Sequence, residues 1–456
     1  MKNIKSILSA LLVFIVAAAC TIDERVDPNG ASLNSVLTDA TFTELNNLVT
    51  GIEARMRNGF DVYVTATGTI SRELYLFDAD PRNLTDLVGL ENDQGENREL
   101  DNNSFYLTSP YNNRYRVIKN CNILLEAVDN ASVEVTEANR NGYRGYANTI
   151  IAYELLLVLN LLDENGIRVD TSDPDNLGDF VTKEAAFTEI VRLLDLAVTQ
   201  LGQAGSEFSF ALTPGFTGFN TPATFTEFNR AIKARVEIYR GDADAALTAL
   251  GESFFDLDGD LSVGPKHVFS TAGPDILNNL FKIPQQSGDQ IIANNDFINS
   301  AAPNDLRVQR KTVVRDDAVS LGGFSGTHET RLYASSTSPI DITRNEELVL
   351  IYAEANIMLN TAASLTEAVE ALNIIRTAAG IGAYGGTVDQ AALTTEMLDQ
   401  RRYSLWAEGH RMIDLRRYDR LNTDFVVLDT NIDPDSGEEL SQVIFTQFPI
   451  PLADTN

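Results

Sequence analysis

Basic residues are scarce in this chain. Lys and Arg number 35 against 65 Asp and Glu, a formal net charge of −30. A surface of that sign repels phosphate backbones, which argues against a nucleic-acid partner, and a polyanionic substrate would need a local basic groove. Neutral ligands stay open. Histidine is scarcer still: His267, His328 and His410 are the only three, far apart along the chain. There is no H-E-x-x-H, no G-x-S-x-G and no Walker A stretch, so no catalytic residue is singled out. Among so many acids, no spacing marks a glycosidase pair either. Tryptophan occurs once, at Trp406, and cysteine twice, at Cys20 and Cys121. With Cys20 modified, Cys121 has no disulfide partner, and stability must come from packing. Past the first nineteen residues, no segment approaches the ~20 apolar residues of a spanning helix without a charge.

Those first nineteen residues, MKNIKSILSALLVFIVAAA, are what the chain does have. Lys2 and Lys5 form a short positive region, Ile7 to Ala19 an apolar core broken only by Ser9, and Ala17, Ala18 and Ala19 a small-residue close. This is the pattern of a secretory signal over residues 1–19. Its loss would make the chain two charges more negative. Cys20 follows at once, where a bacterial lipoprotein is acylated, although the usual Leu three places earlier is Ala17 here. Lipid attachment at Cys20 would tether the protein to a membrane without a span of its own.

Helical patterns dominate the rest. Thr136 to Leu162 reads as a long helix with Ile151, Leu155, Val158, Leu159 and Leu162 on one face, broken at Asn165-Gly166. Residues 182–201 place Phe187, Ile190, Val191, Leu194, Val198 and Leu201 on another, ending at Gly202. Thr224/Glu227, Thr343/Glu346 and Ser364/Glu367 have the capping-box spacing. "MLDQRRYSLWAEGHRMIDLRRY" reads as one last helix. In "RVIKNCNILLEAV", Val117, Cys121, Leu124 and Leu125 share a face, so Cys121 is a core thiol. Paired helices of this size suggest tetratricopeptide-like hairpins that stack on their neighbours. Stretches near 60–115, 203–223 and 252–345 are rich in Gly, Asn, Asp, Thr and aromatics and read as long loops with short strands, the usual place for function.

At "RNEELVLIYAEANIML", "AVEALNIIRTAAG" and "QRRYSLWAEGHRMIDLRRY", the chain resembles the SusD/RagB family of outer-membrane lipoproteins of Bacteroidetes. "VIKNCNILLEAV", "EAAFTEIVRLLDLAVTQL", "FNRAIKARVEIYRGDADAAL" and a terminal "FPIP" fit the same pattern in order, and the likeness covers essentially 20–456. It implies a mainly α SusD-like fold, with tetratricopeptide-type hairpins and an irregular, loop-rich ligand-facing part, in a single domain over 20–456. It also implies a non-enzymatic role: capture of an oligosaccharide or polysaccharide at the cell surface and delivery to a SusC-like TonB-dependent outer-membrane transporter. Asp23-Glu24 behind the lipid cysteine resembles the signal that sends such lipoproteins to the outer face of the outer membrane. The same lid role for a peptide or other small nutrient, and an exported hydrolase, remain as alternatives.

The resemblance points for ligand contacts to "TISRELYLFDADPRN" and the loop after it. Tyr75 and Phe77 could stack on a sugar ring with Tyr106 and Tyr111, while Arg72, Glu73, Arg82 and Asn83 supply hydrogen bonds. Alternation at Leu74, Leu76 and Phe77 also fits a half-buried strand. Other motifs have blander readings. Arg401, Trp406, His410 and Asp414 read as a structural ion-pair network around a packed Trp406. "GIGAYG" follows a helix and reads as a C-cap and turn. Asp256, Asp258 and Asp260 have EF-hand spacing, but Leu261 stands at the glycine place and His267 at the glutamate place. The motif therefore names no metal ligand or cofactor, and leaves structural calcium only as a weak alternative to a solvated acidic turn.

Overall fold

The computed structural model describes residues 33–173, 176–433 and 436–455. The signal segment, Cys20 and the Asp23-Glu24 pair lie outside the described residues.

The chain opens with α1 (Leu33–Asp39), α2 (Phe42–Met56) and α3 (Phe60–Ile70), then β1 (Leu74–Phe77) and the single turn α4 (Arg82–Thr85). The long antiparallel pair α5 (Phe105–Asp129) and α6 (Glu137–Leu162) follows, then the short strands β2 (Ile167–Arg168) and β3 (Phe180–Val181). Next come α7 (Lys183–Leu201), α8 (Pro222–Arg240) and α9 (Ala243–Gly251). The irregular segment after α9 holds β4 (Lys266–His267), β5 (Gln290–Ala293), α10 (Asn295–Asn299), α11 (Leu306–Lys311), β6 (Thr312–Leu321), β7 (Phe324–Thr330) and β8 (Ile340–Asp341). Four helices close the fold: α12 (Asn345–Leu359), α13 (Ala362–Ala379), α14 (Gln390–Ser404) and α15 (Arg411–Arg417).

Each long helix packs on the next, from α5 through α6, α7, α8 and α9 to α12, α13 and α14. The physical reason is visible in α6, the centre of the stack. Its polar residues Asn148, Thr149 and Glu154 are buried with its apolar ones, because neighbours cover it on every side. By composition α6 is apolar enough to cross a membrane, yet its whole apolar window is buried inside the protein, as in the core helix of a globular fold. Two buried ion pairs lock the stack. Arg114 Nη1 meets Glu154 Oε2 at 3.0 Å, with Arg114 also donating to the carbonyls of Met56 (2.8 Å) and Asn58 (2.5 Å). Arg235 joins Glu347 at 2.5 Å, and the guanidinium holds that carboxyl down at about 2.

Several sequence expectations shift by a turn. The reciprocal cap of α8 is Thr221 with Thr224, with Pro222 in the first turn, and that of α13 is Thr361 with Ser364. The capping boxes at Thr224/Glu227 and Ser364/Glu367 are therefore replaced by boxes three residues earlier. Helix α12 starts at Asn345 behind Arg344 without a side-chain cap, so Thr343/Glu346 is not a box either; Thr343 donates to Glu347. The expected last helix is two helices, broken where Ala407 (φ 60°) and Gly409 (φ 83°) turn left-handed. The 60–115 region is not a long loop: α3 and the start of α5 occupy much of it. The expectations at Thr136, Thr182 and Gly380 hold, with Thr136 and Thr182 capping α6 and α7 and Gly380 ending α13 left-handed.

The strands form small antiparallel sheets. The largest has the order β1-β5-β7-β6, with Tyr75 opposite Ile292 and Phe77 opposite Gln290. The period of two then sorts β1. Leu74 and Leu76 turn to the main helical core, while Tyr75 and Phe77 turn to a small separate core with Leu84, Val88, Ile292 and Phe324.

Candidate functional site

A cavity of about 640 Å³ lies where α3, β1, α4 and the first turn of α5 meet the loop 277–289. A second hollow of about 540 Å³ adjoins it and shares Asp61, Val62, Phe105, Leu277 and Asn279 as walls. Together they make one groove, within the size range of small-molecule sites. Phe105, the first residue of α5, stands between the two hollows with 58% of its surface open. Leu277 and Ile283 are exposed along the opposite wall.

The polar groups of the groove come in amide–carboxylate pairs. Asn83 Nδ2 donates to Asp78 Oδ2 at 2.8 Å, and Asn279 Nδ2 to Asp61 Oδ2 at 3.1 Å. Lys282 is held by Asp289 at 2.6 Å. Burial raises the Asp78 carboxyl, against the pull of Asn83. Asn278 braces the loop from behind, donating to the Ser338 carbonyl at 2.9 Å. Asp61, Asp78 and Asp289 face the Lys282 ammonium and the Arg57 guanidinium. Arg57 is already paired with Asp275 at 2.6 Å, so the groove is left negative and disfavours an anionic ligand. It offers alternating donors and acceptors beside an open aromatic ring, which suits a neutral polyhydroxy ligand.

The residues expected to hold ligand are scattered by this geometry. Asn83 and the ring of Tyr106 line the groove. The Tyr106 hydroxyl is engaged, accepting from the Asp101 N–H at 2.6 Å and donating to Asp86 at 3.4 Å. Arg82 is exposed and paired with Asp80 at 3.1 Å, outside the groove lining. Arg72 is buried with φ 55°, and its guanidinium donates to the carbonyls of Ile70, Val88 and Val443, each at 2.9 Å. Glu73 is buried, and desolvation pushes its carboxyl up to about 8. Tyr75 packs on Phe324 with ring centroids 5.1 Å apart and accepts from Asn294, and Phe77 is buried in the same small core. Tyr111 lies elsewhere, edge-on to Tyr115 in a different cavity. Sequence reasoning passed over Phe105, Asp61, Asp78 and Asn279. The one signal for Phe105 is its place in "NNSFY", where only the second aromatic of the pair points into the core.

The cluster around Trp406 is structural. Trp406 is fully buried, stacks on Phe297 at 5.1 Å and donates from Nε1 to the Glu73 carbonyl at 3.1 Å. Arg401 pairs with Asp414 (2.7 Å), Asp414 with Arg417 (3.1 Å) and Arg417 with Glu354 (2.6 Å). Burial lowers His410 to about 4, so it is neutral and no ready general acid. Cys121 is buried and its thiol is pushed up by desolvation. Asp256 and Asp260 accept from the backbone N–H two residues on, as turn residues do. Among the described residues, no group of three His, Cys, Asp or Glu side chains is placed to hold a metal ion.

Comparison with known proteins agrees with this architecture. Residues 319–443 match the SusD family. No curated protein matches the chain. A SusD superfamily protein from Bacteroides vulgatus superposes with a TM-score of 0.66 at 13% identity, over 91% of this chain and 96% of that one. A SusD-like carbohydrate binding protein from the same species gives 0.62 at 15% identity, over 90% and 92%. Surface glycan-binding protein A from Bacteroides uniformis gives 0.60 at 17% identity, over 83% and 88%.

Proposed function

From a chain that has the SusD-superfamily fold and matches the SusD family over residues 319–443, we propose a cell-surface lipoprotein that captures a neutral oligosaccharide or polysaccharide without cleaving it. The observation that carries this is the groove itself. An open Phe105 face flanked by the Asn83–Asp78 and Asn279–Asp61 pairs offers a stacking platform and hydrogen bonds to ring hydroxyls. The ligand passes to a SusC-like TonB-dependent transporter in the outer membrane, and acylated Cys20 holds the protein beside it, facing the cell exterior. The role needs no cofactor.

Affinity electrophoresis of the purified protein against a panel of neutral polysaccharides tests the reading, followed by chromatography for released products. Retardation by one glycan class with no product is the expected result. Cleavage of any glycan would overturn it in favour of a hydrolase. Silence across the panel, with binding of short peptides, would move the groove to a peptide ligand.

A further inference from the structure

A second cavity, about 460 Å³, opens on the outer face of α5 against β2 and the chain end. Tyr111, Tyr115, Arg116 and Lys119 line it from the helix, with Arg168 from β2 and Leu177 from the loop beyond. Its chemistry is the reverse of the groove's. Arg168 is engaged, by Asp454 at 3.3 Å and by the Gly178 carbonyl at 2.5 Å. Tyr115 is also engaged, exchanging hydrogen bonds with the Arg168 backbone at 2.9 and 3.1 Å. Arg116 and Lys119 are not: both are exposed, and neither has a hydrogen-bond or ion-pair partner among the described residues. Asp454 is the only carboxylate in the described lining, and Arg168 already neutralises it.

The excess positive charge matters because the chain as a whole carries −30. Two cations one helical turn apart, aimed into a cavity in such a protein, leave an anion as the complementary charge. The exposed Leu177 and the half-buried Tyr115 ring give the same cavity an apolar wall for a ring to rest on. We propose that this cavity is a second carbohydrate subsite, specific for a sugar unit that carries an anionic group, a uronate carboxylate or a sulfate ester. Arg116 and Lys119 grip the anion, and Tyr115 and Leu177 hold the ring. The groove at Phe105 takes neutral units, so the two sites read different parts of one heteropolymer.

Calorimetry with trigalacturonate, with a sulfated galactose trisaccharide and with neutral galactotriose tests this on the parent protein, on an Arg116→Ala/Lys119→Ala variant and on Phe105→Ala. Both substituted helix residues are exposed, so the fold is kept, and a thermal melt verifies it. At least one acidic trisaccharide is expected to bind, with affinity that falls as salt is raised. The double variant should lose roughly tenfold or more of it, as expected for charge-assisted hydrogen bonds. Phe105→Ala should leave it unchanged. Which trisaccharide binds separates carboxylate from sulfate. No binding by either acid, equal binding by the double variant, or loss on Phe105→Ala alone would overturn the second site. Those results leave the neutral-glycan reading of the groove to its own test.

Discussion

Removing the Phe105 ring should weaken glycan binding without unfolding the protein. Fully covered aromatic side chains bury roughly 150–250 Å². With 58% of Phe105 open, the uncovered share is on the order of 100 Å², and a sugar ring lying on one face takes about half of that. At ~25 cal/mol per Å² the contact is worth about 1.3 kcal/mol, nearly a factor of ten in Kd. The exposed position limits the cost to folding, ~0.5 kcal/mol. Tyr75→Ala is the contrasting case. That ring is buried against Phe324, so its loss should cost about 3–5 kcal/mol of stability, as for other large aromatic truncations. The assay pairs calorimetric titration of the glycan found by electrophoresis with urea unfolding of each variant. A Phe105→Ala protein that binds as tightly as its parent would refute the assignment of the groove. So would a Tyr75→Ala protein that stays fully stable yet loses binding.

Three further outcomes concern the frame that holds the groove. Burial raises Glu73 from 4.5 to about 8, so its carboxyl is neutral in the fold and its contribution is full below about pH 4.5 and lost as pH rises towards 8. Urea titrations at pH 5 and pH 8 should therefore show Glu73→Gln relieving a loss on the order of 3 kcal/mol; a variant with the parent's pH dependence would contradict this. Arg114→Ala strips Glu154 of its partner and frees the carbonyls of Met56 and Asn58, which should cost about 3–5 kcal/mol in chemical denaturation. An undiminished midpoint would mean the pair is not buried as described. Gly409→Ala places a methyl 2.6 Å from the Tyr63 ring at φ 83°, so the melting temperature should drop and Trp406 fluorescence should shift, and an unchanged emission would count against the packing of this turn.

The long helices were legible because their signals are local and redundant. Thr136 and Thr182 cap runs with a clear 3.6-residue face, Gly202 ends the second of them, and Gly380 ends α13. Misreadings arose where a rule has more than one solution. Threonine and serine satisfy a reciprocal cap as well as glutamate does, so Thr221/Thr224 and Thr361/Ser364 were overlooked in favour of pairs nearer the apolar run. Helix α3, "FDVYVTATGTI", is rich in β-branched residues whose intrinsic preference is against helix, and burial of nearly the whole segment overrides it. The break between α14 and α15 needs Ala407 left-handed, which nothing local announces. At the site, the region was legible and the residues were not. Alternation along β1 sends Tyr75 and Phe77 behind the sheet and Leu76 towards the groove, and the register that decides this belongs to β5, over two hundred residues away.

The groove depends on a part of the chain that scarcely lines it. The groove's walls come largely from residues 61–106 and 277–289, but their backing comes from the tail. Trp406 reaches the Glu73 carbonyl, Arg72 reaches the Val443 carbonyl, and the Leu452 N–H reaches the carbonyl of Asn102 just ahead of Phe105. A chain cut before Trp406 would lack all three of these ties, and both walls of the groove would stand without their backing.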